Sequence, residues 1–361
     1  MSMSENKKED LLWLDVIRIF ASLGVVLIHI AADVITEFKA VPMGQWWAAH
    51  IYDSLVRGCV SLFVMVSGAL LLMPTEQTTR DFFKKRINRI LIPFLVWTAL
   101  YLIWKKILFQ PNLSLMEALS RAASNQVHFH LWFFYALTGI YLAAPVFRLF
   151  VRQAKPKDLV YFIGLWFCFA SLLPFAEGLL KDVWNLNFHL KIPVNIAEGL
   201  IGYFVLGYYF RTLGQKTSQP QFMIWVWLAW VGSLAVCLFG SYCLNLRLGH
   251  YDGLFYENTA PNVAVYVAAV FLIIKSFADT LSRFPENAKS TIKLFSKASF
   301  GTYLIHPMIM EAVETGRWGF TLAPRIHPPA LMILETTAAV YLISLVAVLV
   351  IQRIPYIKRI V

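Results

Sequence analysis

The stretch LLWLDVIRIFASLGVVLIHI, residues 11–30, decides the fold. Its length and apolar character suit a helix crossing about 30 Å of hydrocarbon. Yet it carries Asp15, Arg18 and His29. Placing an arginine in hydrocarbon costs roughly 2.5–3.5 kcal/mol on insertion scales. At 100° per residue, Arg18 and His29 fall within about 20° of one another, separated by roughly 16 Å along the helix axis. Asp15 lies within about 60° of the same stripe. A polar line of this kind suits an elongated polar ligand, gripped at one end and acted on at the other.

The rest of the chain has the same character. Of its 361 residues, 58% are hydrophobic and 15% charged, with mean hydropathy +0.61. Soluble domains carry about 25% charged residues. Apolar runs recur at 12–31, 54–73, 90–109, 131–150, 159–178, 196–211, 222–244, 261–281, 299–315 and 330–352. The predicted fold is therefore an all-α polytopic membrane helix bundle of about ten transmembrane helices, with both termini cytoplasmic. The whole chain, 1–361, reads as a single integral membrane domain with its core at about 11–353. The polar N-terminus and the absence of a cleavage site make the first run a retained span rather than a leader.

The net charge of +11 is a topology signal. Roughly two-thirds of the Lys and Arg fall in the alternate segments that the positive-inside rule assigns to the cytoplasm. RDFFKKRINR and RQAKPK are the strongest clusters. A nucleic-acid partner is excluded on that distribution; membrane lipid is the surrounding partner, and the oligomeric state is left open. The four cysteines, Cys59, Cys168, Cys237 and Cys243, lie in or beside apolar runs and are expected to be buried thiols.

Polar groups inside the spans carry the chemistry. His29, with an ordinary pKa near 6.5, suits a general base that takes a hydroxyl proton. In KKRINRILIPF, residues 84–94, Arg86 and Arg89 share a helix face beside Lys85, and forked guanidinium groups suit phosphate oxygens. In HFHLWFFYAL, residues 128–137, His130, Trp132 and Tyr135 are candidates for the acceptor side. The H-x-H spacing there lacks a neighbouring acidic or thiol partner, so no metal site is assigned. In SFGTYLIHPM, residues 299–308, Tyr303 and His306 share a face and are candidates for steadying an oxyanion. Pro307 is expected to break the helix locally and free a backbone carbonyl. Glu198, Glu311, Glu314 and Glu335 are expected to pair structurally with arginines. Ser67-Gly68 marks close helix packing, with Ser67 as a nucleophile only if a base adjoins it. No histidine falls in a predicted inner loop, so anion-binding groups gather inside and proton-handling groups outward.

These residues resemble the acyltransferase-3 family of integral membrane acyltransferases. The resemblance rests on L-D-x-x-R-x(10)-H in LDVIRIFASLGVVLIH, the SG of the second span, R-x-x-R with a following proline in RINRILIP, and the later HLWFF and SFGTYLIHP. It implies O-acyl transfer, commonly of acetyl from cytoplasmic acetyl-CoA as co-substrate, to a hydroxyl of a surface glycan or its lipid-linked precursor. On this resemblance Arg18, Arg86 and Arg89 serve the donor and His29 is the base; beside it, the residues themselves add Lys85 on the donor side and Asp15, Tyr303 and His306 as further catalytic candidates. It also implies a bacterial inner-membrane location, and the form of the last motif looks most like enzymes that O-acetylate enterobacterial common antigen or similar polysaccharides. One position departs from the pattern: Phe133 stands where a tyrosine is often found, so a phenol there must come from Tyr135. The alternative reading of the buried polar groups is a transporter of a small polar substrate or glycan precursor.

Overall fold

In the computed structural model, residues 11–190, 199–214, 219–323 and 329–361 are described. Among them the chain is helical with no strand. The polypeptide begins with α1 (Leu12–Ile35), α2 (Met43–Val56), α3 (Cys59–Leu71), α4 (Thr79–Arg86) and α5 (Ile92–Leu108). It continues through α6 (Leu115–Ala123), α7 (Trp132–Gln153), α8 (Pro156–Trp166), α9 (Leu173–Trp184) and α10 (Ile201–Thr212). The last six are α11 (Pro220–Ala235), α12 (Ser241–Leu248), α13 (Pro261–Ser276), α14 (Ala278–Ser282), α15 (Glu286–Glu314) and α16 (Pro329–Ile351). A short 3₁₀ turn, Ile357–Ile360, follows.

Eight of the described helical segments are long and apolar enough to cross a membrane, and the protein is a polytopic helical bundle. The expected spans at 196–211 and 299–315 are not among these eight. The first overlaps α10, and its residues 196–198, like Glu198, lie outside the described residues. The second lies inside α15, whose lysines, histidine and glutamates lower its hydropathy. The second span begins earlier than its apolar run: helix starts at Met43 rather than at 54. Its polar residues are satisfied inside the bundle, Asp53 by Arg57 at 3.2 Å and His50 by the Leu238 carbonyl at 2.9 Å.

The helices α1, α3, α10, α13 and α15 pack around a core containing Trp13, Leu62, Phe134, Phe204, Phe271 and Leu304. At Gly68 an added Cβ would lie 1.7 Å from the Phe204 carbonyl oxygen, and at Gly207 2.0 Å from that of Met65. The α3 and α10 backbones therefore touch directly, which is the small-residue packing available where lipid supplies no hydrophobic drive. Outside this core, α11 and α9 turn Trp225, Leu228, Val231 and Trp184 outward. Helices apolar all round are suited to lipid on one side and protein on the other. Cys168 and Cys243 are exposed on such surfaces, contrary to the expected burial, while Cys59 and Cys237 are buried; all four are free thiols.

Two prolines shape the site. Pro93 has no N–H to offer the Arg89 carbonyl, and the turn before it widens to a π-helix, Ile87–Leu91, in which Ile92 N–H reaches the Ile87 carbonyl. Pro307 does not break α15, which runs unbroken to Glu314. It removes the donor that would have bonded the Tyr303 carbonyl, and His306 Nδ1 takes that carbonyl instead at 2.7 Å.

Candidate active site

A cavity of about 840 Å³ opens among α1, α3, α7, α15, the π turn and the C-terminal 3₁₀ turn. Arg18, Arg86, Arg89, Lys297, Lys358 and Arg359 line it, and among the described residues no Asp or Glu side chain does. The π turn brings the consecutive residues Asn88, Arg89 and Ile90 to this one cavity. Arg86 stands over the Phe82 and Tyr141 rings, at 5.4 and 5.8 Å from their centroids, and its Nε is buried without a partner. Arg18 is paired with Asp15 at 2.9 Å, and Asp15 also accepts from the Ser296 hydroxyl at 2.6 Å. Asp15 thus sits at the arginine end of α1, far from His29, where it holds Arg18 in place.

Other cations are committed elsewhere. Arg148 donates to the Leu71 carbonyl and Arg211 to that of Ala69, both at 2.7 Å, satisfying the last carbonyls of α3. Among the described residues, Arg18 alone of the six has a carboxylate neighbour, Asp15, and six cations lining one pocket give it a strongly positive field, the kind that suits anionic groups.

Beyond the cavity lies an aromatic partition. Phe63 and Phe133 line the cavity, and both rings face Tyr303, with centroids 6.4 and 5.6 Å from it. On the far side, His29, His128, His130 and His306 gather. The His29 and His306 rings stack at 5.4 Å and 15°. His130 lies 5.7 Å from His306 and 5.6 Å from Tyr303. The helix α1 therefore carries Arg18 at the cavity and His29 at the cluster, and α15 repeats that order with Lys297 and His306.

Hydrogen bonding fixes the state of one of these rings. His306 Nδ1 must donate to the Tyr303 carbonyl, so Nε2 carries the lone pair; that atom is buried and unpartnered. His130 Nε2 is also buried and unpartnered. By contrast, His50 is saturated, Nε2 on the Leu238 carbonyl and Nδ1 on the Tyr256 hydroxyl. The expected oxyanion role of Tyr303 and His306 does not fit this arrangement. The Tyr303 proton is donated to the His130 carbonyl at 2.5 Å, and neutral His306 has no N–H facing the cluster.

The remaining sequence candidates divide. Ser67 lines the cavity, 3.2 Å from the Tyr141 hydroxyl; no histidine adjoins it there. Lys85 is exposed and lies outside the cavity lining. Tyr135 donates to the Ala122 carbonyl and stands edge-on to Phe94, so it does not supply a phenol at Phe133. Trp132 packs against Phe133 rather than the histidines. Glu311 pairs with His128 at 3.1 Å and accepts from Trp104 Nε1 at 2.6 Å, not from an arginine. His128 and His130 face each other through Nδ1 at 3.0 Å, which occupies nitrogens that a shared ion would need. Lys297, Lys358 and Arg359 were not singled out by sequence. For Lys297 the available signal was the cation-then-histidine order that α15 shares with α1; Lys358 and Arg359 gave none.

Fold and cavity together define a multi-pass helical membrane protein in which a cation-lined pocket adjoins a buried histidine cluster. The profile of the acyltransferase domain of the acyltransferase-3 family matches residues 11–352. The chain belongs to that family and is a membrane acyltransferase. Comparisons with curated proteins and with solved structures gave no match.

Proposed function

We propose that this protein moves an acetyl or other short acyl group from cytoplasmic acyl-CoA to a hydroxyl of a cell-surface glycan or lipid-linked glycan precursor. One observation carries the reading: a pocket lined by six cations, with no Asp or Glu among its described lining residues, lies one aromatic layer from a cluster of histidines. Coenzyme A has its phosphates at one end and its thioester roughly 15–20 Å away by extended-chain reach. The roughly 16 Å from Arg18 to His29 along α1 is of that order.

In this reading Arg18, Arg86 and Arg89, joined by Lys297, Lys358 and Arg359, hold the phosphates, and the pantetheine arm passes the Phe63, Phe133 and Tyr303 rings. His29 takes the proton of the acceptor hydroxyl as its oxygen bonds to the thioester carbonyl carbon. The carbon–sulfur bond breaks and the electron pair leaves with the sulfur. His306, stacked on His29, offers a second lone pair in the same cluster. In this reading, with the basic segments inside as the positive-inside rule has them, the cation pocket faces the cytoplasm and the histidines the outer side of a bacterial inner membrane. Among surface polymers, enterobacterial common antigen and related polysaccharides are the acceptor class that the sequence resemblance favours.

Mass spectrometry of surface glycans from cells with and without the gene tests this. The expected result is one sugar heavier by a single acyl group only when the gene is present. Identical glycan masses in the two strains, with the protein present in the membrane, would contradict it.

A further inference from the structure

Near the far end of α15 from the cation pocket, Glu311 Oε1 lies 3.1 Å from His128 Nε2, and His128 Nδ1 lies 3.0 Å from His130 Nδ1. With Glu311 ionised and both imidazoles neutral, His128 donates through Nε2 and accepts through Nδ1. His130 must then donate through Nδ1. Its Nε2 is left as a bare acceptor, buried and without a partner.

Each member is held independently. Trp104 Nε1 donates to the other carboxylate oxygen of Glu311 at 2.6 Å. Tyr101 lies against both imidazoles, at 4.5 and 4.8 Å, and the Tyr303 hydroxyl fixes the His130 carbonyl. The chain also changes environment along its length. The His130 end is fully enclosed, the His128 side chain is 2% exposed, and Glu311 is 23% exposed. A hydrogen-bonded line from an enclosed lone pair to a partly exposed carboxylate is more than packing requires.

We propose that Glu311, His128 and His130 form a proton relay that carries the proton released by acyl transfer away from the histidine cluster, on the side opposite the cation pocket. The proposal rests on the acyltransferase reading above. As the hydroxyl oxygen bonds to the carbonyl carbon, its proton enters the cluster, and the sulfur leaves with the carbon–sulfur electron pair and takes a proton from water on the donor side. His130 gains a proton at Nε2 and gives its Nδ1 proton to His128 Nδ1. His128 gives its Nε2 proton to Glu311, which releases it to water. The starting tautomers return when each imidazole gains a proton on its bare nitrogen and loses the one on the other, with no net gain or loss of protons. Glu311 and His128 are positioning residues: they act through His130 and set which of its nitrogens is bare.

The test uses the full chain in membrane vesicles with acetyl-CoA as the probe, reading CoA thiol release and label transferred to membrane material. Glu311→Gln keeps an oxygen for the His128 N–H but cannot take the proton; His128→Gln keeps a donor for Glu311 but cannot pass one on. Both are expected to lower kcat by roughly 10²-fold, the scale of a lost acid–base function, with KM for acetyl-CoA unchanged. The wild-type solvent deuterium isotope effect on kcat is expected to change in both, and Glu311→Asp to recover part of the rate. Wild-type kcat in both variants, or losses matched by an equal rise in KM and a lowered unfolding midpoint, would overturn the relay alone. No turnover in the wild type would overturn the acyltransferase reading itself.

Discussion

At the scale of single residues, the His306-Pro307 pair ties sequence to site most tightly. Proline removes one backbone donor, the Tyr303 carbonyl is left over, and His306 Nδ1 occupies it. The tautomer of a buried imidazole is thereby set by a proline one position away. Pro307→Ala restores an N–H that competes for that carbonyl. The variant is expected to gain stability, by up to about 3 kcal/mol on helix propensity, and to lose acyl transfer roughly fivefold, as one hydrogen bond of about 1 kcal/mol no longer selects the tautomer. Thermal unfolding in detergent and acetyl-CoA turnover check the two signs; a variant both more stable and fully active would remove the tautomer argument. Much of the candidate site was legible at this scale. His29, His306, Arg18 and Arg86 stand out as polar residues in apolar surroundings. The partnership of His128 with Glu311 was not legible, because 183 positions separate them and nothing in either local sequence refers to the other. Nor could sequence show that the Tyr303 hydroxyl is already committed.

Among the elements, α1 and α15 matter most, because each carries a cation toward the pocket and a histidine toward the cluster. Periodicity revealed this for α1. It concealed α15, where three lysines precede the apolar half and shorten the apparent span to 299–315. The same shortening occurs at α2: the apolar run begins at 54, yet helix extends back to Met43, and His50 and Asp53 each find a partner inside the bundle. The C-terminal 3₁₀ turn was invisible as an element of the site, since Lys358 and Arg359 look like a topology signal. It is anchored by Trp97 Nε1 on the Ile360 carbonyl at 2.8 Å. Lys358→Ala with Arg359→Ala is expected to weaken acetyl-CoA binding at least tenfold, with a smaller dependence on salt, while the unfolding midpoint stays near that of the wild type. Unchanged affinity by calorimetry would take the turn out of the donor site. The contact between α3 and α10 gives a second element-scale expectation. Gly68→Ala drives a Cβ into the Phe204 carbonyl and is expected to cost about 1–3 kcal/mol. Gly139→Ala on α7, where nothing lies within 4 Å, is expected to be neutral or stabilising by roughly 0.5–1 kcal/mol. Equal unfolding midpoints for the two variants would contradict direct backbone contact.

For the whole molecule, fold class followed from composition and span length, because only helices satisfy the backbone of so apolar a chain within lipid. The number of crossings was less legible. Polar side chains that serve a site depress hydropathy where a helix is most functional, as in α15. What the bundle achieves as a whole is separation: a cluster of cations in one pocket, imidazoles with bare nitrogens in another place, and an aromatic layer between them. That separation predicts that donor binding and acyl transfer can be uncoupled by substitution. The direct test is His29→Ala, purified in the membrane-inserted state, with acetyl-CoA affinity and acyl transfer measured on the same preparation. The account predicts affinity within about twofold of wild type and transfer lowered by roughly 10²–10⁴-fold, the range expected for a lost general base. Full transfer in the His29→Ala protein would contradict it.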